Sequence, residues 1–162
     1  MTGPGTAEPP FDDPAWIERS LVIVDSFERW LRRPLVGRGA STVETAGALF
    51  EAPFVVVAHG TESDPLLNYA NRMALALWET DLQTLLGMPS RLTAEPMHRD
   101  ERARMLERTQ RDGYVDDYRG IRISTTGRRF RIDQAYVWNL INASGANAGQ
   151  AASFARWERL GD

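Results

Sequence analysis

The segment that decides the fold runs from residue 113 to residue 142 and has the sequence GYVDDYRGIRISTTGRRFRIDQAYVWNLIN. The predicted helix that precedes Gly113 has the apolar spacing of three and four that is typical of helices, and beyond Gly113 the apolar residues follow the spacing of two that is typical of strands. We therefore predict strands over residues 114–124 and 128–142, and a third over residues 150–157. Short turns join them, so consecutive strands are expected to be antiparallel.

The rest of the chain supplies helices and two further strands. A first helix is predicted over residues 15–33, with Asp13 as its N-cap, Pro14 at its first position and an apolar stripe that includes Trp16 and Trp30. The remaining elements are a short helix over 42–51, strands over 54–58 and 66–70, helices that begin after the caps Asn71 and Asp81, and a helix over 97–112. This order predicts an α+β fold with a five-stranded antiparallel sheet.

The strand over residues 128–142 is apolar on both faces, so both faces of the sheet need cover. We expect the helices between the strands to cover one face and the N-terminal helix to cover the other. Which side chains of this strand face a cavity stays open, because a single β-bulge exchanges the two sets. Gln134 and Asn139 are therefore both candidates for the cavity wall, and bonding to nearby backbone is an equally good interpretation of each.

Composition excludes several kinds of site. The 162 residues suit one domain, and a net charge of −3 gives no electrostatic reason to expect binding to nucleic acid or a membrane. There is no cysteine, which excludes disulfides, cysteine–zinc sites and cysteinyl–flavin adducts. Every basic residue is an arginine, which excludes a Schiff-base lysine, and two histidines are too few for a multi-histidine metal site. We therefore expect no metal site.

Domain organisation follows from the same sequence. Residues 1–12 are predicted to be a disordered lead-in, residues 13–41 to form the N-terminal helix and a linker, and residues 42–162 to form the main domain. The longest apolar run, residues 54–58, is far too short to span a membrane, and the N-terminus lacks the features of a signal peptide. The sequence therefore predicts a cytoplasmic protein.

A series of short motifs between residues 45 and 157 is specific as an ordered set. The motifs are His59-Gly60, Asp64-Pro65, Asn68-Tyr69-Ala70-Asn71, LGMPSRLTAEP (86–96), GYVDDY (113–118), GIRIS (120–124), GRRF (127–130), VWNL (137–140) and GQAASF (149–154). In this order and spacing the chain resembles the MEKHLA domain, a PAS-like family. The resemblance implies a PAS-like fold and a sensing or interaction role, and it implies no particular chemistry.

On this resemblance we expect a non-catalytic module, in signalling or transcriptional regulation, that binds a small molecule or a protein partner. One alternative is an enzyme on a cone-shaped α+β barrel of the ketosteroid-isomerase type. Such an enzyme needs a pocket carboxylate with a perturbed pKa, for which Asp117 and Asp133 are the candidates. A second alternative is a dimerisation module with a filled core.

Haem and flavin are both disfavoured as cofactors. His98 begins the long helix, where some haem-binding PAS domains carry the iron ligand, but charged residues typical of a solvent-exposed helix follow it. Light-sensing PAS domains use an adduct cysteine and amides on the last strands, whereas this chain has Ala151, Ile132 and Arg122 at the corresponding places. His59 is interpreted as a turn residue bonded to nearby backbone rather than as a ligand contact.

We predict a mostly apolar cavity beneath the sheet that takes a small apolar ligand. The candidate pocket residues are Tyr69, Asn71, Trp78, Arg91, Ile121, Gln134, Val137 and Asn139. Among them Arg91, in a loop with few charges, is the candidate partner for an anion or a carboxylate. The five arginines of residues 99–111 are interpreted as a solvent-exposed face with salt bridges.

We also predict a homodimer that uses the N-terminal helix. Trp16, Phe27 and Trp30 make that helix apolar over more than a narrow stripe. Exposed apolar patches of this kind mark contact sites, and a twofold interface is the commonest closed arrangement. The alternative is that both sides of the helix pack within one subunit.

Overall fold

The computed structural model describes residues 13–161, so the predicted lead-in over residues 1–12 lies outside the described residues. The elements are α1 (Pro14–Leu31), α2 (Thr42–Phe50), β1 (Val55–His59), β2 (Leu67–Ala70), α3 (Arg72–Trp78), α4 (Leu82–Leu85), a 3-10 turn (Ser90–Thr93), α5 (Pro96–Asp112), β3 (Tyr114–Ile123), β4 (Arg129–Ile141), β5 (Asn147–Phe154) and β6 (Arg156–Arg159). None of the described helices is long and apolar enough to cross a membrane.

Side-chain caps begin the helices at the predicted places. The Asp13 carboxylate accepts a hydrogen bond from the backbone N–H of Ala15 at 3.0 Å, and Asn71 Oδ1 accepts one from Ala74 N–H at 3.1 Å. Each cap satisfies a donor that the first helical turn leaves free. The first helix ends earlier than predicted, because Arg32 adopts a left-handed conformation with φ of 61°.

The five predicted strands lie in an antiparallel sheet in the order β2-β1-β5-β4-β3, and β6 pairs with the N-terminal half of β4. The hairpin of β1 and β2 adds to the meander β3-β4-β5 through the pairing of β1 with β5. Helices α3, α4 and α5 lie between the two parts in sequence and cover one face of the sheet. The predicted α+β architecture is confirmed.

The last predicted strand, over residues 150–157, is divided in two. β5 ends at Phe154 and β6 begins at Arg156, with the exposed Ala155 between them. Both segments pair with β4, and the break lies opposite Gln134, whose φ of 49° bends that strand. Phe154 of β5 packs against Trp157 of β6, which pairs with the cavity-facing Ile132, so the alternation of side chains is reset across the break, and the predicted single strand did not include this break.

The bulge at Gln134 decides which side chains of β4 face which way. The pairing of β3 with β4 is irregular on both sides of the Tyr118–Ala135 pair, next to Gln134, and a bulge of this kind resets the alternation of faces. Ile132 before the bulge and Val137 after it both face the helices α3–α5. Tyr136 and Trp138 face α1 on the other side of the sheet.

Helix α1 covers the second face of the sheet with closely packed aromatic side chains. The Trp138 indole N–H donates to the Ile23 carbonyl at 3.3 Å, and its ring packs edge to face against Phe27 with the centroids 4.9 Å apart. Trp16 stacks on Tyr69 of β2 at 4.7 Å. All of these side chains are at most 2% exposed, and the prediction that the N-terminal helix covers the second face is confirmed.

Candidate functional site

A small cavity lies between the sheet and the helices α3–α5. Its volume of about 60 Å³ gives room for about two to four water molecules. The strands β1, β3, β4 and β5 form its floor, and side chains of α3, α4 and α5 form its roof. The cavity therefore lies where the chain brings its N-terminal and C-terminal strands under the same three helices.

Most of the cavity wall is apolar. Trp78 of α3 packs edge to face against Phe130 and Phe154, with ring centroids 5.1 Å and 6.3 Å apart. On the floor, Ala152 of β5 pairs with Val57 on one side and with Val137 on the other. Its single methyl group leaves space that a larger side chain would fill.

A chain of polar side chains joins β3 to α5 at the cavity. Arg122 Nη2 donates a hydrogen bond to the Tyr118 hydroxyl at 2.9 Å, and that hydroxyl donates to Glu101 Oε2 at 2.9 Å. Burial raises the pKa of Tyr118, which keeps the hydroxyl protonated at neutral pH. Gly120 lies between Tyr118 and Arg122 on the same face of β3, and a Cβ there would overlap the hydroxyl.

A second guanidinium reaches the cavity from α5. Arg102 is half-buried, and its Nη2 donates to the Ser90 hydroxyl at 3.0 Å. Burial, followed by the positive charge of Arg122, lowers the pKa of Arg102 to about 10. The group remains charged at neutral pH, but it does so in a place where charge is unfavourable.

His59 at the end of β1 also lies on the cavity wall and is 8% exposed. Its Nδ1 is 3.1 Å from the Gly60 carbonyl oxygen, whereas its buried Nε2 has no hydrogen-bond partner among the described residues. Burial, followed in the same direction by the charge of Arg102, lowers the pKa of His59. The imidazole is therefore neutral at pH 7, with one ring nitrogen open to a partner.

Two of the eight candidate pocket residues lie on the cavity wall, namely Trp78 and Val137. The Trp78 indole nitrogen is buried and has no hydrogen-bond partner within residues 13–161. The remaining six candidates lie elsewhere.

Tyr69 and Asn71 are buried in other parts of the structure. Tyr69 faces α1 and stacks on Trp16. Asn71 joins α3 to its surroundings, because its amide nitrogen donates to the carbonyl oxygens of Leu49 and Phe54 at 3.3 Å and 2.8 Å. Both side chains therefore hold the fold together.

The other four candidates contact neighbouring side chains and backbone. Arg91 forms an exposed ion pair with Asp64 at 3.2 Å, and Ile121 is half-buried beside the cavity-facing Arg122. Gln134 is exposed at the bulge and accepts a hydrogen bond from Arg156. Asn139 donates to the last carbonyl groups of α5, those of Thr109 and Gln110, at 3.1 Å and 3.2 Å.

Arg102 and Arg122 were not predicted to line a cavity. His59 was predicted to bond to nearby backbone, as its Nδ1 does with the Gly60 carbonyl, but its place on the cavity wall was not predicted. The signal for Arg122 was present, since strand alternation places it on the same face as Tyr118 and opposite Ile121. Arg102 is one of five arginines between residues 99 and 111, and nothing in the sequence distinguishes it from the other four. In the structure, Arg102 lies on the side of α5 that faces the cavity.

Neither carboxylate that the enzyme alternative needs lies on the cavity wall. Asp117 is exposed and pairs with Arg108 at 3.4 Å, and Asp133 is half-buried and lies 3.7 Å from Arg119. Within residues 13–161, no group of three His, Cys, Asp or Glu side chains is placed to hold a metal ion.

Solved structures with similar folds include a PAS domain and a light-oxygen-voltage domain. A PAS domain from Colwellia psychrerythraea superimposes with a TM-score of 0.61 at 10% identity, covering 72% of this chain and 94% of that one. A light-oxygen-voltage domain studied with a flavin analogue superimposes with a TM-score of 0.57 at 16% identity, covering 74% of this chain and 86% of that one. The predicted PAS-like fold is confirmed.

The cavity does not fit a flavin of the light-sensing kind. Its volume of about 60 Å³ is smaller than the roughly 150 Å³ that admits a single benzene ring. The sequence has no cysteine for an adduct, and the amide nitrogen of Gln150 is engaged by Leu106 O and Asn139 Oδ1 at 3.0 Å and 3.1 Å. His98, the residue considered for haem, is half-buried at the start of α5 and is not among the residues that line the cavity.

Sequence comparison assigns the family. No curated protein matches this chain. The sequence profile of the MEKHLA domain matches residues 17–159, which extends beyond the motifs between residues 45 and 157 and includes most of α1. The chain therefore belongs to the MEKHLA domain family, a PAS-like family.

Proposed function

We propose that this domain is a non-catalytic sensory module that binds a small molecule in the cavity between the sheet and α3–α5. The observation that carries the proposal is a mostly apolar cavity in a PAS-like fold that also holds buried polar atoms without partners. Apolar walls supply affinity by burial, and a few convergent polar groups supply orientation.

The unpartnered atoms support a ligand rather than a permanently empty space. Both His59 Nε2 and Trp78 Nε1 are buried at this cavity without a hydrogen-bond partner among the described residues. Leaving a buried polar atom unsatisfied costs about 1–3 kcal/mol, so such atoms are rarely left without a protein group, a water or a ligand. A ligand that bonds to either nitrogen offsets this cost.

The same walls offer a route by which binding changes the domain. Tyr118 belongs to β3 and bonds to Glu101 on α5, so a molecule that contacts this pair touches the sheet and the helix together. A shift of α5 relative to β3 alters the surface that the domain offers to a signalling or transcriptional partner. Action in the cytoplasm, as the sequence predicts, is part of this proposal.

A non-catalytic role is supported by the chemistry of the wall. Within residues 13–161 the cavity is lined by no aspartate or glutamate, and Asp117 and Asp133 both lie outside it. The one histidine on the wall, His59, is held by Gly60 and has no acid or base partner within hydrogen-bond distance among the described residues.

The test is native mass spectrometry of the full chain purified without denaturation, with an absorption spectrum of the same sample. We expect a bound mass that is lost on denaturation, and no visible band of haem or flavin. Ala152→Leu fills the floor of the cavity and is expected to abolish the bound mass. The matched variant Ala148→Leu changes the same strand outside the cavity and is expected to retain it.

Two outcomes would contradict the proposal. One is a full chain that carries no bound mass and whose melting temperature no compound in a metabolite library raises. The other is a bound molecule that Ala152→Leu retains and Ala148→Leu loses, since that molecule would lie outside this cavity.

A further inference from the structure

We propose that the molecule bound in this cavity is a short-chain monocarboxylate, with its carboxylate between Arg102 and Arg122 and its carbon chain against the apolar wall. This inference rests on the proposed function, because it names the ligand class for the same cavity. It adds a charged end to the apolar ligand that the sequence predicts.

Both guanidinium groups lack an ionic partner among the described residues. Within residues 13–161, neither Arg102 nor Arg122 forms a salt bridge with a carboxylate. Arg122 is only 6% exposed, and its hydrogen bonds go to the Tyr118 hydroxyl and to the Ile121 carbonyl. A buried cation without a counter-charge is rare in proteins, because burial removes the water that stabilises it.

Several exposed arginines of this chain are paired with a carboxylate. Arg38 pairs with Asp25 at 2.6 Å, and Arg108 of α5 pairs with Asp117 at 3.4 Å. Arg99 and Arg104 of α5 also form no ion pair within residues 13–161, but they do not line the cavity, whereas Arg102 and Arg122 do. The two guanidiniums on the cavity wall therefore leave a place at which an anion from outside the chain can bind.

The two positive charges also repel one another. The charge of Arg122 lowers the pKa of Arg102, so the two groups are close enough to repel. An anion between them replaces this repulsion by two attractions. A guanidinium also presents paired N–H donors that match the two oxygens of a carboxylate, which a neutral ligand cannot use in the same way.

The count of charges around the cavity indicates a single negative charge on the ligand. Glu101 lies close to Arg122 through the Tyr118 hydroxyl, to which it is bonded at 2.9 Å. Two guanidiniums and one carboxylate leave an excess of one positive charge, and the neutral His59 adds none. A monoanion balances this excess, whereas a dianion such as a phosphate ester would leave an unpaired buried charge.

The size of the cavity limits the rest of the molecule. The volume of about 60 Å³ is well below the roughly 150 Å³ that admits a benzene ring, so the ligand has fewer non-hydrogen atoms than benzene. Apolar side chains, among them Val57, Leu85 and Ile132, form most of the wall beyond the arginines. A carboxylate with one or two further carbon atoms, such as acetate or propionate, meets both conditions.

Isothermal titration of the full chain with propionate and with propionamide, at constant ionic strength, tests this inference. The two probes have nearly the same shape and differ in charge. We expect propionate to bind at least about tenfold more tightly, the factor that corresponds to one lost charge-assisted hydrogen bond. Chemical shifts of the Trp78 indole N–H, identified with Trp78→Phe, report whether the probe enters the cavity.

Arginine variants assign the effect to the proposed groups. Arg122→Gln and Arg102→Gln are each expected to reduce the preference for propionate over propionamide to less than about threefold. Arg108→Gln removes an exposed guanidinium from the same helix as Arg102 and is expected to keep the full preference. Two separate cavity variants are used so that misfolding of one, seen by circular dichroism, leaves the other as the test.

The outcomes separate this inference from the proposed function. Equal binding of propionate and propionamide in the cavity overturns the charge assignment and leaves a neutral-ligand sensor in place. A preference for propionate that persists in both cavity variants also overturns it. If neither probe binds, native mass spectrometry decides: a bound molecule without an acidic group overturns the inference alone, and an empty protein overturns the proposed function with it.

Discussion

The two faces of the sheet are covered by helices in different ways. On the face covered by α1, aromatic rings such as Phe27 and Trp138 interlock with centroids 4.9 Å apart. On the face covered by α3–α5, the small side chain of Ala152 and the inward-pointing Arg122 leave a cavity of about 60 Å³. The first face is packed like the interior of a globular protein, whereas the second contains a cavity and a buried guanidinium.

This difference indicates that the two faces of the sheet have different roles, one in stability and the other in binding. Closely packed apolar groups contribute to the free energy of folding, whereas a cavity forfeits dispersion contacts and a buried cation is costly to desolvate. A structure that accepts both costs on one face has its stability supplied mainly by the other. The face under α1 is therefore expected to dominate the stability of the domain.

The largest expected effect is the loss of stability on the α1 face. Trp138→Ala removes a fully buried ring and the hydrogen bond that its N–H donates to Ile23. We expect the free energy of unfolding to fall by about 3–5 kcal/mol, because the packed surroundings cannot close the space. Denaturant titration followed by circular dichroism measures the change.

The matched variant on the other face is Arg122→Met. It removes the hydrogen bond to Tyr118 but also removes a buried charge next to Arg102. These effects oppose each other, so we expect stability to change by about 1 kcal/mol or less. A loss as large as that of Trp138→Ala would show that the cavity face is as important for folding as the α1 face, which would contradict the expectation that the α1 face dominates stability.

Much of this architecture was predictable from the sequence because it depends on local signals. Caps such as Asp13 and Asn71 mark helix starts, Gly113 marks the end of α5, and the change of period after it marks the meander. The long apolar strand predicted that both faces need cover, and the structure supplies α1 for one of them. These features need only the identity and spacing of neighbouring residues.

The orientation of the cavity wall was not predictable, because backbone irregularities decide it. The bulge at Gln134 joins Ile132 and Val137 to one face, although their spacing puts them on opposite faces of a regular strand. Gly149, with φ of 118°, lies where the pairing of β5 with β4 becomes irregular, and a side chain there would overlap the His59 carbonyl. A sequence shows where such a bulge is possible, but tertiary packing determines whether it forms.

An intermediate effect is expected when pH is lowered through the range in which His59 titrates in the unfolded chain. Its ordinary pKa is 6.5, and burial lowers that pKa in the folded protein. The unfolded state then binds the proton more readily, so stability falls as pH drops below about 6.5 and levels off below the pKa of the folded state. This contribution has a slope of at most about 1.4 kcal/mol per pH unit.

His59→Gln isolates this contribution, because all other titratable groups are shared with the unmodified chain. Free energies of unfolding are measured between pH 7.5 and pH 5, and the variant is expected to lose stability less steeply as pH falls. Identical slopes for the two proteins would mean that His59 is as readily protonated in the fold as outside it. That result would contradict the lowered pKa of His59 in the folded protein.

The smallest effect on folding is expected for substitutions on the outer side of α1. The homodimer stays a prediction, but the surface that suggests it is now a different one. The aromatic side chains that suggested it are turned inward, and Trp30 is half-buried with its N–H bonded to the Asn139 carbonyl at 3.0 Å. What remains outside is a groove of about 450 Å³ between α1 and the end of β4, with Ile17 and Leu21 half-buried in it.

We expect the α1 helix of a second copy to lie in this groove, antiparallel to the first. Glu18 and Arg29 flank it at opposite ends, so a twofold arrangement brings Arg29 of each copy toward Glu18 of the other. We expect the full chain to be dimeric at tens of micromolar in light scattering, and Leu21→Glu to make it monomeric with its circular dichroism spectrum unchanged. Val43→Glu, an exposed apolar position on α2, serves as the control and should leave the dimer intact. A monomeric full chain, or a dimer that Leu21→Glu does not weaken, would mean that the only task of α1 is to cover the sheet of its own subunit.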